Sequence, residues 1–442
     1  MVSFILNNLI GSVHMTYTLK NGYLVTPQGT FRGDLIVKNK IIEDLGSSLN
    51  AKGSIYDIDG LYVLPGFREQ HLHDMPGMTK YADRPERIEE VARKLLRYGV
   101  TAFKLATVAM PLEDLLTYLD SCREFLKSRD KDAEGARFEG AYVEGTFINR
   151  KCAGAQPPEH IVHPNEPKAR GMLDAILDTG VVKLVNIVPD FGVELIRYAA
   201  SKGVVVGCGH CKASAGMLEE AVKAGLRFIV HLTNGAMGQS FKPFEGGGTY
   251  EGALTLPVFI ELIVDGYHVD FKYISDIIER RIQRQRAHEI IAVTDRLFPT
   301  PEDAPEGTFR MFSVLCSKPR NEDVLYTEGY MNSEGRLVKP PPFTLCGSLL
   351  TMDKAFQNLL NLLTVKHSGY MIDADARSLR DALNLTSRFT SSNTVKLEGL
   401  SDVGFLEKGK KADISVLEID GGPGKYKVKV KYVIVDGKIF EL

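Results

Sequence analysis

Eight times between residues 62 and 295 the chain sets a short apolar run before a stretch of helical period, and few folds accommodate that rhythm. The runs are YVLPGF, TAFKLAT, RFEGAYVEG, VKLVNIVPD, VVVGCGH, RFIVHL, FIELIVDG and EIIAVTD. Between them lie amphipathic stretches such as RPERIEEVARKLLRYG and DFKYISDIIERRIQRQRA, with Gly99, Gly180, Gly203 and Gly225 where helices should stop. Strand–helix repeats build parallel sheets. Eight of them predict an α/β fold of the TIM-like (β/α)8 type rather than an open sheet.

The flanks differ. Residues 16–60 and 400–442 are short strand-like runs punctuated by turn pairs, which predicts one small β domain built from both chain ends. The expected division is 1–60 and 395–442 for that domain and 61–394 for the barrel. The Pro- and Gly-rich stretch 298–345 reads as an irregular insertion after the eighth strand.

Barrels of this kind place their chemistry at the C-terminal ends of the strands. Here those ends carry His71 and His73, Glu144, His210, His231 and Asp295. Side chains on a strand repeat every second residue, so the two histidines of QHLHD face the same way. Imidazole and carboxylate suit Zn, Fe or a similar divalent ion, and a carboxylate can also carry a proton. Any one such residue alone has an ordinary structural use; the constellation is the signal.

Composition narrows the class. The charged fraction is 25% and the hydrophobic fraction 44%, as in soluble globular chains, and a net charge of -2 offers no electrostatic case for nucleic acid or an anionic membrane. No window approaches ~20 uninterrupted apolar residues, and the apolar start MVSFILNNLIGSVH lacks a basic leader. Six cysteines spread over the chain form no disulfide framework, which points to a cytoplasmic setting. Met1 and Met15 are alternative starts. Cys208-Gly209-His210-Cys211 has the spacing of a thiol redox motif, but it falls inside the fifth barrel unit, where both cysteines read as small neutral packing residues beside His210.

The order PGF-HxH, GAYVEGTFINRKCAGAQPPEHI, GH, HLTNGAM, DGYH, VTD and CGSLLTMDKAFQNLL resembles the N-acetylglucosamine-6-phosphate deacetylase branch of the amidohydrolase superfamily. The closing GFLEKGKKADISVLE is typical of the superfamily, and the likeness covers nearly the whole chain from about residue 17. It implies metal-dependent hydrolysis of an amide, most simply deacetylation of an N-acetylated amino sugar, by a homodimer. It also implies that Glu144, His210 and His231 hold the main divalent ion and that His71 and His73 hold a second, with Glu144 and Asp295 shared or nearby. Asp295 would act as general base and then acid. His268, Asn234, Gly235, Ala236 and Gln156 would meet the substrate.

Four places depart from the family pattern. Tyr142-Val143-Glu144-Gly145-Thr146 replaces His-Leu-Glu-Gly-Pro, Gln156 stands where the family has histidine, and Gly235 is inserted beside Asn234. The Arg-Glu-Pro loop that reaches a neighbouring subunit's sugar phosphate is replaced by GQSFKPFEGGGTYEGA, with Lys242 as its one cation. Phosphate recognition therefore does not carry over as the metal ligands do. The competing readings are hydrolysis of another amide or a lactam, a thiol oxidoreductase at Cys208 and Cys211, and a degenerate scaffold.

Overall fold

Parallel strands covered on both faces must be apolar throughout, and Val100–Thr107 is buried at every position. It is the second of eight parallel strands: β1 (Phe67–His73), β2 (Val100–Thr107), β3 (Arg137–Phe147), β4 (Val182–Ile187), β5 (Val205–Cys208), β6 (Leu226–Ile229), β7 (Phe259–Ile263) and β8 (Ile290–Val293). They pair in sequence order. The seam between β8 and β1 closes through the backbone. Asp295 N donates to His71 O at 2.9 Å and His73 N to Arg296 O at 2.7 Å. This computed structural model describes residues 15–129, 134–235, 247–320, 322–332, 334–341 and 343–442. The run MVSFILNNLIGSVH, Ala236 and Lys242 lie outside the described residues.

Helices end where glycine permits a left-handed residue. Gly99, Gly180, Gly203 and Gly225 all have positive φ. The helix Ala215–Ala224 starts at Ser214, whose Oγ accepts from Met217 N at 3.2 Å, and it buries Leu218, Ala221 and Ala224. Among the described residues no helix is long and apolar enough to cross a membrane.

The run YVLPGF divides between two sheets. Tyr62–Pro65 pairs with Tyr23–Leu24 and with Ile414–Leu417, and β1 begins after Gly66. A Cβ on Gly66 would lie 2.1 Å from Thr101 Cγ2, so the crossing of the chain there needs glycine. The barrel strand itself is polar: Arg68, Glu69, Gln70, His71 and His73 are all buried. Apolar periodicity is blind to such a strand, because its charges are compensated across the fold. Arg68 pairs with Glu139, which also meets Lys104 at 3.3 Å, and Lys104 reaches Glu398 at 2.7 Å.

Strands from both chain ends form one eight-stranded sheet, five from residues 16–65 and three from residues 414–441. Its own core includes Leu19, Val37, Ile42, Val63, Ile414 and Ile434.

The stretch 298–345 is not the irregular insertion that its composition suggests. It carries an antiparallel sheet of Gly307–Met311, Val314–Lys318, Val324–Met331, Leu337–Val338 and Leu345–Ser348. Its prolines and glycines lie largely between the strands, and the strands are short. A disulfide joins Cys316 to Cys346, so the cysteines are not all free thiols as expected. Cys122, Cys152, Cys208 and Cys211 are free and buried.

Candidate metal centre and cavity

The strand ends converge. His71 and His73 close β1, Glu144 lies near the end of β3, and His210, His231 and Asp295 follow β5, β6 and β8. The last three take φ of 56°, 27° and 49°, so the backbone turns left-handed as it leaves the barrel and aims each side chain into the mouth. Non-glycine residues adopt this region at a cost, and such strain gathers at functional sites.

Two donor sets share Glu144: His71 and His73 with Glu144, and Glu144 with His210 and His231. Within each set the ligand atoms lie within 4.8 Å of one another. Glu144 Oε1 is 2.8 Å from His231 Nε2 and 3.1 Å from His210 Nε2. Asp295 Oδ1 is 3.2 Å from His73 Nε2 and 3.4 Å from His71 Nε2.

The imidazole tautomers follow from their far sides. His73 Nδ1 meets Ala106 O at 3.0 Å and His210 Nδ1 meets Cys152 O at 2.8 Å. A carbonyl only accepts, so Nδ1 carries the proton and Nε2 keeps its lone pair. His71 Nδ1 lies 3.1 Å from Glu261 Oε2 to the same effect, and His71 Nε2 is buried with no hydrogen-bond partner. Lone pairs of nitrogen and carboxylate oxygen around a common centre fit a borderline divalent ion.

The charge pattern agrees. Burial opposes ionisation of Glu144, yet the imidazoles of His210, His231 and His71 gathered around it hold its carboxyl well below the usual range. Asp295 is held at about 2 against its burial by His71 and His73. His71 is pushed well above the usual imidazole value, because Asp295, Glu261 and Glu144 outweigh its burial. Two buried carboxylates held ionised among imidazoles favour a cation in their midst.

The ligands sit at the floor of a cavity of about 580 Å³ that also exposes His268, Asn234, Gly235 and Gln156. His268 Nδ1 lies 2.6 Å from Asp265 Oδ2. A Cβ on Gly235 would lie 3.2 Å from His210 Cα, so the inserted glycine lets this loop press on a ligand. Gln156 is engaged at both ends: Nε2 donates to Glu144 Oε2 at 2.6 Å and Oε1 accepts from Ala109 N at 2.8 Å. Cys208 and Cys211 bring their Sγ atoms to 3.5 Å in full burial. The hydrogen bond between them, with burial, pushes the Cys208 thiol well up; the same bond draws Cys211 down against its burial, and both sulfurs stay buried away from any external thiol partner.

Sequence reasoning missed two supports. Glu261 in β7 accepts from Gln70 Nε2 at 2.5 Å and from His231 N at 3.3 Å besides holding His71. Asn186 in β4 donates to Glu144 O at 3.1 Å and accepts from Gly209 N at 2.9 Å. The signal that could have found them is a polar residue set among apolar ones inside a strand, FIELI and VKLVNI. Arg150 and Lys151 also line the cavity.

No protein-family model matches the chain. It is 25% identical over 372 residues to N-acetylglucosamine-6-phosphate deacetylase of Bacillus subtilis, covering 81% of each chain. To N-acetylgalactosamine-6-phosphate deacetylase of Escherichia coli O157:H7 it is 24% identical, covering 84% of this chain and 86% of that one. The crystal structure of N-acetylglucosamine-6-phosphate deacetylase from Pasteurella multocida superposes with a TM-score of 0.77 at 20% identity, over 97% of this chain and 100% of that one. The donor sets at the barrel mouth and these likenesses agree: along most of its length the chain is similar to N-acetylglucosamine-6-phosphate deacetylases, and it has their fold.

Proposed function

We propose that the chain hydrolyses the amide of an N-acylated amino sugar with a divalent ion, Zn or Fe, held by Glu144, His210 and His231, and a second held by His71 and His73. The observation that carries this reading is the sharing of Glu144 by two His-containing donor sets at the floor of one cavity. Such an ion, when bound, supplies Lewis-acid activation of water and of the amide carbonyl.

The protein's own groups have separable parts. Asp295 is 15% exposed while Glu144 is 2% exposed, so Asp295 is the carboxylate that reaches a substrate. It takes the proton from attacking water and returns it to the departing amine. His268 is held by Asp265, which draws its pKa up against burial, so its Nε2–H is available to donate to the substrate. Asn234 and Gly235 border the cavity where the amide would sit, and Gln156 positions Glu144 rather than the sugar.

The second reading, an amide or lactam other than an acetylated sugar phosphate, is favoured by one observation. Among the described residues, the non-histidine cations lining the cavity are Arg150 and Lys151, and Arg150 already donates to Pro158 O at 3.0 Å and Ile161 O at 2.6 Å. A dianion needs more than that. Lys242 adds at most one charge.

The expected homodimer rests on the family resemblance, and light scattering checks it. The cytoplasmic expectation rests on cysteine usage, which the Cys316–Cys346 bond weakens. A panel of N-acyl amino sugars, with and without a 6-phosphate, assayed on metal-replete protein tests the function. Release of acid from none of them overturns it.

A further inference from the structure

Among the described residues ten non-glycine positions have positive φ, and six of them line the cavity: His210, His231, Thr233, Asp295, Phe312 and Phe343. Four belong to the strand-end loops around the metal centre. The two phenylalanines do not, and for a bulky residue this backbone is an outlier. Phe312 opens the two-residue turn between Met311 and Val314, a position that favours glycine or asparagine, with φ 49°. Phe343 has φ 61° and is 88% exposed, so its ring adds nothing to the core.

Both rings belong to the insertion, and the insertion is rooted on the proposed general base. It leaves the barrel after Asp295 and returns at Ser348, where Ser348 N donates to Asp295 O at 3.0 Å and Ser348 bridges Arg296. Tyr330 donates to Gly154 O on the loop that carries Cys152 and Gln156, and Cys316–Cys346 ties two insertion strands together. The insertion is thus fixed to Asp295 at one side and, through Tyr330, to the loop beside Glu144 and His210 at the other, which holds its aromatic groups against the cavity. Met311, Leu297 and Leu345 continue the same apolar lining.

We propose that Phe312, Phe343 and Tyr330 form a subsite for a second ring on the substrate, beyond the amino sugar that carries the amide. The inference rests on the amide-hydrolase reading above. Phe343 is exposed while Phe312 and Tyr330 are partly buried at the cavity wall; strained backbone at the two phenylalanines persists where a ligand uses the rings, and an aromatic face takes either an aryl aglycone or the C–H face of another pyranose.

The test compares kcat/KM for N-acetylglucosamine, its phenyl glycoside, N,N′-diacetylchitobiose and the 6-phosphate, on the native chain and on Phe312→Ala/Phe343→Ala. A preference of at least about tenfold for a ring-bearing substrate, about 1.4 kcal/mol, is expected. That ratio should fall to near one in the double variant. Preference for the phenyl glycoside assigns an apolar aglycone, and preference for the disaccharide assigns a second sugar. A native ratio near one overturns the subsite, as does a ratio that survives the double substitution. So does loss of a dimer in Phe343→Ala with the ratio unchanged. If no amide is cleaved, calorimetric binding decides separately. Tighter binding of the phenyl glycoside than of N-acetylglucosamine, lost in the double variant, keeps the subsite while the hydrolase reading falls; equal binding overturns the subsite as well.

Discussion

Replacing Glu261 by Gln separates charge from shape at the back of the metal centre. The carboxylate takes Gln70 on Oε1 and both His71 Nδ1 and His231 N on Oε2. A glutamine that turns its oxygen to the histidine side still accepts both N–H groups. Its amide then faces Gln70, whose Oε1 is buried without a partner and can accept once the Gln70 amide turns over. The variant should therefore fold and lose only the charge behind His71. A hydrogen bond to a charged group is worth about 1–1.5 kcal/mol more than a neutral one, close to tenfold in affinity, and outer partners of ligating histidines typically carry about 10–100-fold. Glu261→Leu, in contrast, strands the three buried N–H donors of Gln70, His71 and His231 and should cost about 3–9 kcal/mol of stability, at ~1–3 kcal/mol each. The assay is competition with a calibrated chelator, which resolves two binding steps, alongside a thermal melt of the stripped protein. For Glu261→Gln the weaker step, assigned to His71 and His73, should lose affinity by that factor while the ion at Glu144, His210 and His231 stays. Unchanged affinity at both steps would refute the orienting role. Equal loss at both would show that Glu261 acts on the whole centre.

Asp295→Asn should retain an ion while turnover falls by at least about 100-fold, the usual scale of a lost general base, as measured by elemental analysis and kcat. Cys208→Ser with Cys211→Ser should keep most hydrolysis whereas His210→Asn loses metal and activity; a folded but inactive serine variant would contradict the packing role. A preference for the 6-phosphate below about 1000-fold is expected from so few cations, and Lys242→Ala and Arg150→Ala, assayed on the same substrate pair, show which supplies it.

The alternation of apolar runs and amphipathic stretches was enough to read the barrel, because seven of its strands keep an apolar run even where single charges such as Lys104 in β2 and Glu139 in β3 interrupt it. The eighth case, β1, is charged, and its compensation by Glu139 and Glu398 comes from distant parts of the chain that local periodicity does not sense. The candidate donors were readable because strand ends are marked by the runs that precede them. Glu261 and Asn186 were not, although each is a polar residue set among apolar ones, since their value depends on which neighbours the closed barrel presents. Composition misjudged the insertion. Its strands are short and its turns numerous, so Pro and Gly masked a sheet whose order depends on pairing and on Cys316–Cys346.

The most direct measurement is acid release from N-acetylglucosamine and its 6-phosphate by one preparation, taken metal-replete, stripped by chelator and reconstituted, with His210→Asn beside it. The account predicts hydrolysis that disappears on stripping, returns with Zn or Fe at one to two ions per chain, and stays absent in His210→Asn. Hydrolysis that persists in fully stripped protein, or in a folded His210→Asn variant with no bound ion, would contradict it.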